Sequence, residues 1–145
     1  MNPEIAIKEI MTTNLVSISP NTPFSEIKAI FEKHDFHHIP VLNPNESIAG
    51  MISKTDWLMS LKNTVEQTAG KVWTQKYYDA LVAKDIMVEN PLVLDPDDSV
   101  GLAADIFMAN KFHALPIVED GQVLGILTMY DLMNYAFYKA AIAKE

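Results

Sequence analysis

Phe36-His37-His38-Ile39-Pro40-Val41-Leu42 (residues 36–42) returns as Phe112-His113-Ala114-Leu115-Pro116-Ile117-Val118 (residues 112–118), 76 positions further on. Carrying that offset back to Ile10-Met11 and Ile86-Met87 aligns 33 pairs of residues, nine of them identical. The identities are Ile10, Met11, Asn14, Pro20, Ile30, Phe31, Phe36, His37 and Pro40 with Ile86, Met87, Asn90, Pro96, Ile106, Phe107, Phe112, His113 and Pro116. Average residue usage gives about two such identities by chance. After a one-residue slip in a turn, Gly50 and Asp56 align with Gly125 and Asp131. The chain is a tandem duplication of about 55 residues per copy. We place the first copy at residues 1–62, a connector at 63–81 and the second copy at 82–145.

Both copies read alike. A short strand (Leu15 to Ile18; Leu92 to Leu94) ends at Ser19-Pro20 or Asp95-Pro96. A helix follows, its apolar face carried by Phe24, Ile27, Ile30 and Phe31, and in the second copy by Val100, Ala103, Ile106 and Phe107. Thr22 is the candidate cap of the first, with Pro23 at its first position, and Asp97 or Asp98 of the second. Two apolar runs come next, Ile39 to Leu42 with Ile48 to Ile52, and Leu115 to Val118 with Val123 to Leu127. The turn residues between them predict a hairpin. A second helix starts at Ser53 or Thr128. The predicted fold is mixed α/β (α+β), a β-α-β-β-α unit used twice and packed as one pseudo-two-fold module. The connector, with Trp73, Tyr77 and Leu81 beside Tyr78 and Val82, predicts a docked helix whose aromatics pack. The closing helix, Leu132 to Ala143, is apolar around most of its circumference, as are Trp57, Leu58, Met59 and Leu61 in the first copy. Such helices are buried on more than one side; a subunit interface is the expected cover, with a large intramolecular core as the alternative.

The chain has 145 residues, 19 acids and 11 bases, for a net charge of −8. Every base is a lysine, and arginine and cysteine are both absent. The acidic balance argues against a nucleic-acid binder, which shows a basic patch. Without cysteine there is no disulfide framework, no Cys-ligated zinc and no thiol catalysis. The N-terminus lacks the basic-then-apolar order of a signal peptide, and no apolar run approaches the length of a membrane span. A cytoplasmic location, without membrane or nucleic-acid partners, is the expectation.

The local feature richest in chemistry is Gly50-Met51-Ile52-Ser53-Lys54-Thr55-Asp56, matched by Gly125-Ile126-Leu127-Thr128-Met129-Tyr130-Asp131. Each lies where a strand passes into a helix. Ser/Thr-x-x-Asp at such a point is the pattern of a capping box, hydroxyl and acid satisfying free N–H groups. The same geometry suits a ligand. Helix-start N–H groups and a hydroxyl can hold phosphate, and a carboxylate one turn later can accept from the vicinal hydroxyls of a ribose. The glycine permits close backbone approach. The two readings are compatible.

These motifs, in this order and twice over, resemble the cystathionine β-synthase (CBS) domain pair, the Bateman module. The matching features are Ile-Met near each start, Ser/Asp-Pro after the first strand, the apolar-Pro-apolar strand, and Gly-x-x-Ser/Thr-x-x-Asp. The resemblance covers about residues 6–62 and 82–138. It implies a regulatory module with two clefts between the copies that bind AMP, ADP, ATP, S-adenosylmethionine or dinucleotides. On it, the ribose-binding acids are Asp56 and Asp131, the phosphate-side hydroxyls Ser53 and Thr128, and the residues bordering the base Val16 and Leu92. The residues just before each apolar-Pro pair, His37-His38 and His113-Ala114, also line the cleft. Family kinase subunits often carry arginine there, and this chain departs from that pattern. Family modules commonly dimerise through their helix faces.

His34, Asp35, His37 and His38 crowd together, but a helix end and alternating strand positions aim them apart, which argues against a metal site. Phosphate contact by His37, His38 or His113 is the alternative to a surface or packing role, and Lys54 makes the first-copy side the more positive. No nucleophile context, P-loop or dinucleotide fingerprint occurs, and the repeats fill the chain, so no catalysis is expected. The expected function is a homodimeric stand-alone sensor of an adenosine ligand, acting on an unidentified partner protein. No obligatory cofactor is expected, though ATP would bring Mg2+. Without arginine's bidentate fork, and at −8, the chain favours AMP or S-adenosylmethionine over a triphosphate. The alternative is a constitutive interaction scaffold with unoccupied clefts.

Overall fold

A computed structural model of the protein describes residues 2–67, 70–109 and 111–139; for 63–67, 71–74 and 139 only the backbone is described. Ala140 to Ala143 and the side chain of Trp73 therefore lie outside the described residues. The chain divides into two compact units, one of residues 16–90 and one of residues 1–15 with 91–145.

The first unit runs α1 (Phe24–Lys33), β1 (His38–Leu42), β2 (Ile48–Ser53), α2 (Lys54–Gln67), α3 (Lys71–Ala80), α4 (Ala83–Ile86) and β3 (Val88–Glu89). Its sheet has the order β1-β2-β3, antiparallel throughout. The predicted helix face is the buried one: Phe24, Ile27 and Phe31 pack with Ile39, Val41, Ile52, Trp57 and Ala83. Tyr78 of the connector helix stacks on Phe24 at 5.4 Å and donates its hydroxyl to the Leu61 carbonyl. That connector aromatic packs, as expected.

The second unit begins with a 3-10 turn at Ile7–Glu9. It continues with α5 (Val100–Met108), β4 (Ala114–Glu119), β5 (Gln122–Thr128), α6 (Met129–Asn134) and a π-helical turn, Tyr135–Lys139. Ile7 and Ile10 are buried with Leu94, Val100, Ala103, Phe107, Leu115, Ile117 and Leu127. Lys8 meets Asp97 at 2.7 Å, and that hydrogen bond holds the ammonium pKa above the ordinary lysine value. Both hairpins fall where the turns predict, and each carries a register irregularity at the equivalent place, Val41/Leu42 and Ile117/Val118.

Three expectations are corrected. The first strand of each copy shrinks to one parallel bridge, Ile18 on Val41 and Leu94 on Ile117. Ile18 donates to the Pro40 carbonyl and accepts from Leu42; Leu94 donates to Pro116 and accepts from Val118. The next rung in either direction needs an N–H from Pro40 or Pro20, and in the second copy from Pro116 or Pro96. Proline has none. The α1 cap is also different. Thr22 Oγ1 accepts from the Ser19 N–H instead, at 3.0 Å, and α1 has no side-chain cap. Finally, α5 is capped by Ser99, which accepts from the Leu102 N–H at 3.1 Å. Asp98 accepts instead from Asp95.

The leading segments join the opposite copy from the one they precede in sequence. Residues 1–15 belong to the unit built on the second copy, and Ala83 to Asn90 to the unit built on the first. Thr12 exchanges both backbone hydrogen bonds with Ile126 of β5, each at 2.9 Å. Val88 pairs with Met51 of β2, the equivalent position.

Candidate functional site

The Gly-x-x-Ser/Thr-x-x-Asp stretches lie on β2–α2 and β5–α6. In each unit the glycine sits under the leading segment. A Cβ on Gly125 would lie 2.8 Å from the Thr12 carbonyl oxygen and 2.9 Å from Met11 Sδ. One on Gly50 would lie 2.6 Å from Met87 Sδ and 2.8 Å from the Val88 carbonyl oxygen. The close approach that requires glycine is made by the chain's own Met11-Thr12 and Met87-Val88.

The capping boxes form. The Asp56 N–H donates to Ser53 Oγ at 2.9 Å, and the Ser53 N–H to Asp56 Oδ2 at 3.2 Å. In the second unit the Thr128 N–H donates to Asp131 Oδ2 at 2.9 Å, and the Asp131 N–H to Thr128 Oγ1 at 3.3 Å. Six α-helical residues there run directly into five π-helical ones.

Strand register carries the residues before each apolar-Pro pair to the same places. His38 lies opposite Ser53, and Ala114 opposite Thr128. The His37 carbonyl accepts from the Lys54 N–H at 2.7 Å. His37 and His113 are exposed and Lys54 is partly so. In unit 16–90, then, Ser53, Lys54, Asp56, His37 and His38 gather around one strand–helix junction. In the other unit Thr128, Asp131, His113 and Ala114 do so. Val16 and Leu92 stand apart from these junctions in the chain, each two residues before a bridge residue; Val16 is half-buried and Leu92 exposed. His34 stacks on Phe36 at 4.7 Å. Among the described residues, no group of three or more His, Asp or Glu side chains is placed to hold a metal ion. No helix among them is long and apolar enough to cross a membrane.

One residue was not anticipated. Thr12 Oγ1 donates to Asp131 Oδ1 at 2.9 Å. Its counterpart at the 76-residue offset is Val88, which cannot make that bond. The signal lay in the repeat itself, one position past Ile-Met.

Comparison with known proteins gives the same architecture. A homoserine O-acetyltransferase of Methanocorpusculum labreanum is 26% identical over 86% of this chain, and the chain spans 23% of that enzyme's length. The structure of CBSX2 of Arabidopsis thaliana in complex with AMP superposes with a TM-score of 0.76 at 25% identity, covering 97% of this chain and 98% of that one. The CBS domain pair of MJ0100, in complex with 5-methylthioadenosine and S-adenosylmethionine, gives 0.73 at 20% identity, covering 99% and 100%. The CBS domain family matches residues 7–63 and again 83–138. With two matched repeats filling most of its length, the chain belongs to the CBS domain family as a CBS pair.

Proposed function

We propose that this protein is a regulatory module that binds an adenosine-containing ligand and signals its presence to a partner protein. The observation that carries the reading is the repeated junction, with Ser53 and Asp56 in one unit and Thr128 and Asp131 in the other. In each, a carboxylate held one turn into a helix stands beside the hydroxyl that caps the helix start. The carboxylate suits the ribose hydroxyls and the helix start suits phosphate. His37, His38, His113, Ala114 and Lys54 border the two junctions, and phosphate contact is assigned to Lys54 and at least one of the histidines. Val16 and Leu92 are assigned to the base. Support comes from CBSX2, a similar protein of nearly equal length whose structure was solved with AMP. The CBS pair of MJ0100, alike in fold, was solved with 5-methylthioadenosine and S-adenosylmethionine.

AMP is the favoured ligand, ahead of ADP, ATP with Mg2+, and S-adenosylmethionine. No arginine fork is available for a polyphosphate, and the net charge of −8 opposes one. The module works as a cytoplasmic homodimer through the exposed face of its closing helix, and it regulates rather than catalyses. A second reading, a scaffold without a nucleotide, is favoured by one observation: both acids are already engaged as helix caps.

A thermal-shift panel of AMP, ADP, ATP, S-adenosylmethionine and nicotinamide dinucleotides separates the two. A ligand at 100 times its Kd adds about 2.7 kcal/mol, which at about 2–4 °C per kcal/mol raises Tm by roughly 5–10 °C. Failure of every adenosine compound to move Tm establishes the scaffold reading instead.

A further inference from the structure

The two junctions differ in what their carboxylates have left to offer. An ionised aspartate has about four acceptor positions, two on each oxygen. At Asp131 three are in use. Oδ2 accepts from the Thr128 N–H at 2.9 Å and from Thr128 Oγ1 at 3.1 Å, and Oδ1 accepts from Thr12 Oγ1 at 2.9 Å. At Asp56, among the described residues, one is in use, the Ser53 N–H on Oδ2. The difference on Oδ1 traces to one hydroxyl. Thr12 and Val88 hold the same register, Thr12 on Ile126 and Val88 on Met51. Threonine and valine have nearly the same shape and differ in the hydroxyl. Nor can Thr12 withdraw as a whole, because its N–H and carbonyl are both bonded to Ile126 at 2.9 Å. Asp131 Oδ1 is freed when the Thr12 side chain turns about χ1 or its O–H swings off the carboxylate.

We infer that Thr12 is a specificity-determining residue: its hydroxyl closes the Asp131 carboxylate to a vicinal diol, leaving the Asp56 junction as the diol-selective one. The inference rests on the adenosine-ligand reading above and deepens it. A ribose offers two neighbouring hydroxyls. Asp56 has acceptor positions open on both oxygens for that pair. Asp131 has one, so a diol there must displace Thr12, while a single hydroxyl need not. The two junctions of one chain thus differ in affinity and in sugar preference.

Isothermal titration calorimetry of the full chain with AMP and with 2′-deoxy-AMP tests this in two backgrounds. Asp56→Ala leaves the Asp131 junction to be read, and Asp131→Ala leaves the Asp56 junction; Asp→Asn versions serve if either alanine variant fails to fold. In the Asp56→Ala background, Thr12→Val tightens AMP about three- to tenfold, the worth of one partly exposed bond to a charged group. It also raises the preference for AMP over the deoxy compound, and Thr12→Ser behaves as the parent. In the Asp131→Ala background, Val88→Thr weakens AMP by a similar factor and narrows that preference. AMP binding that depends on Asp131 yet is unmoved or weakened by Thr12→Val overturns the inference and leaves the ligand reading standing. AMP binding indifferent to both acids, or absent from the unmodified chain, overturns both.

Discussion

Gly125 carries a backbone role that its motif conceals. Its position on β5 suggested room for a ligand, yet a Cβ there meets the Thr12 carbonyl oxygen at 2.8 Å, and a carbonyl fixed by a reciprocal hydrogen-bonded pair cannot step aside cheaply. Gly125→Ala therefore overpacks the β5 junction with residues 11–12. We expect a loss of about 1–3 kcal/mol, read as a Tm lowered by about 2–4 °C per kcal/mol in protein without added ligand. An unchanged Tm would show that the leading segment yields freely. A smaller effect belongs to Ser99. Its hydroxyl satisfies the Leu102 N–H at the start of α5, and Ser99→Ala should cost about 1 kcal/mol in urea unfolding. Asp97→Ala should not remove that cap, since Asp97 instead accepts from Lys8. Three neighbouring candidates, Asp97, Asp98 and Ser99, all have capping chemistry. Which one sits at the helix start depends on where the turn before it closes, and that is set by Asp98 accepting from Asp95 and by Ile7 donating to the Asp98 carbonyl.

Among the elements, the helices were legible because burial follows the 3.6-residue period: Phe24, Ile27 and Phe31 are the positions of α1 that the structure buries. The hairpins were legible from turn chemistry and alternation. The first strands were overread for a reason the sequence does contain. Pro20 and Pro40, with Pro96 and Pro116, delete the rungs on both sides of a single bridge. The closing helix is legible in part. Tyr135 is buried in the unit's core, whereas Tyr130, Met133 and Phe137 remain 76%, 56% and 64% exposed. A single chain leaves that face open to water, which is what the proposed homodimer would cover. Met133→Lys with Phe137→Lys should then shift the protein from dimer to monomer in sedimentation equilibrium, while its far-UV circular dichroism is unchanged. A monomer before mutation would remove this helix from the dimer proposal.

At the scale of the molecule, self-similarity identified the repeats but could not say which copy each leading segment serves. Similarity at an offset of 76 is the same whether Ile10-Met11 packs on its own copy or on the other. The compact units answer this, with residues 1–15 grouped with 91–145 and the equivalent segment before Asn90 grouped with the first copy. Ile7 sits fully buried among Leu94, Val100, Leu115 and Leu127, all from the second copy. Its counterpart Ala83 is buried among residues of the first. The exchange has a measurable consequence. Ile7→Ala deletes a buried side chain and should cost about 2–5 kcal/mol, and the loss should appear far away in sequence. Amide hydrogen exchange should quicken in β4 and β5, residues 114–128, while β1 and β2, residues 38–53, keep their protection. If each leading segment instead served the copy it precedes, β1 and β2 would lose protection first. That pattern, measured by mass spectrometry on the same variant, would overturn the exchange.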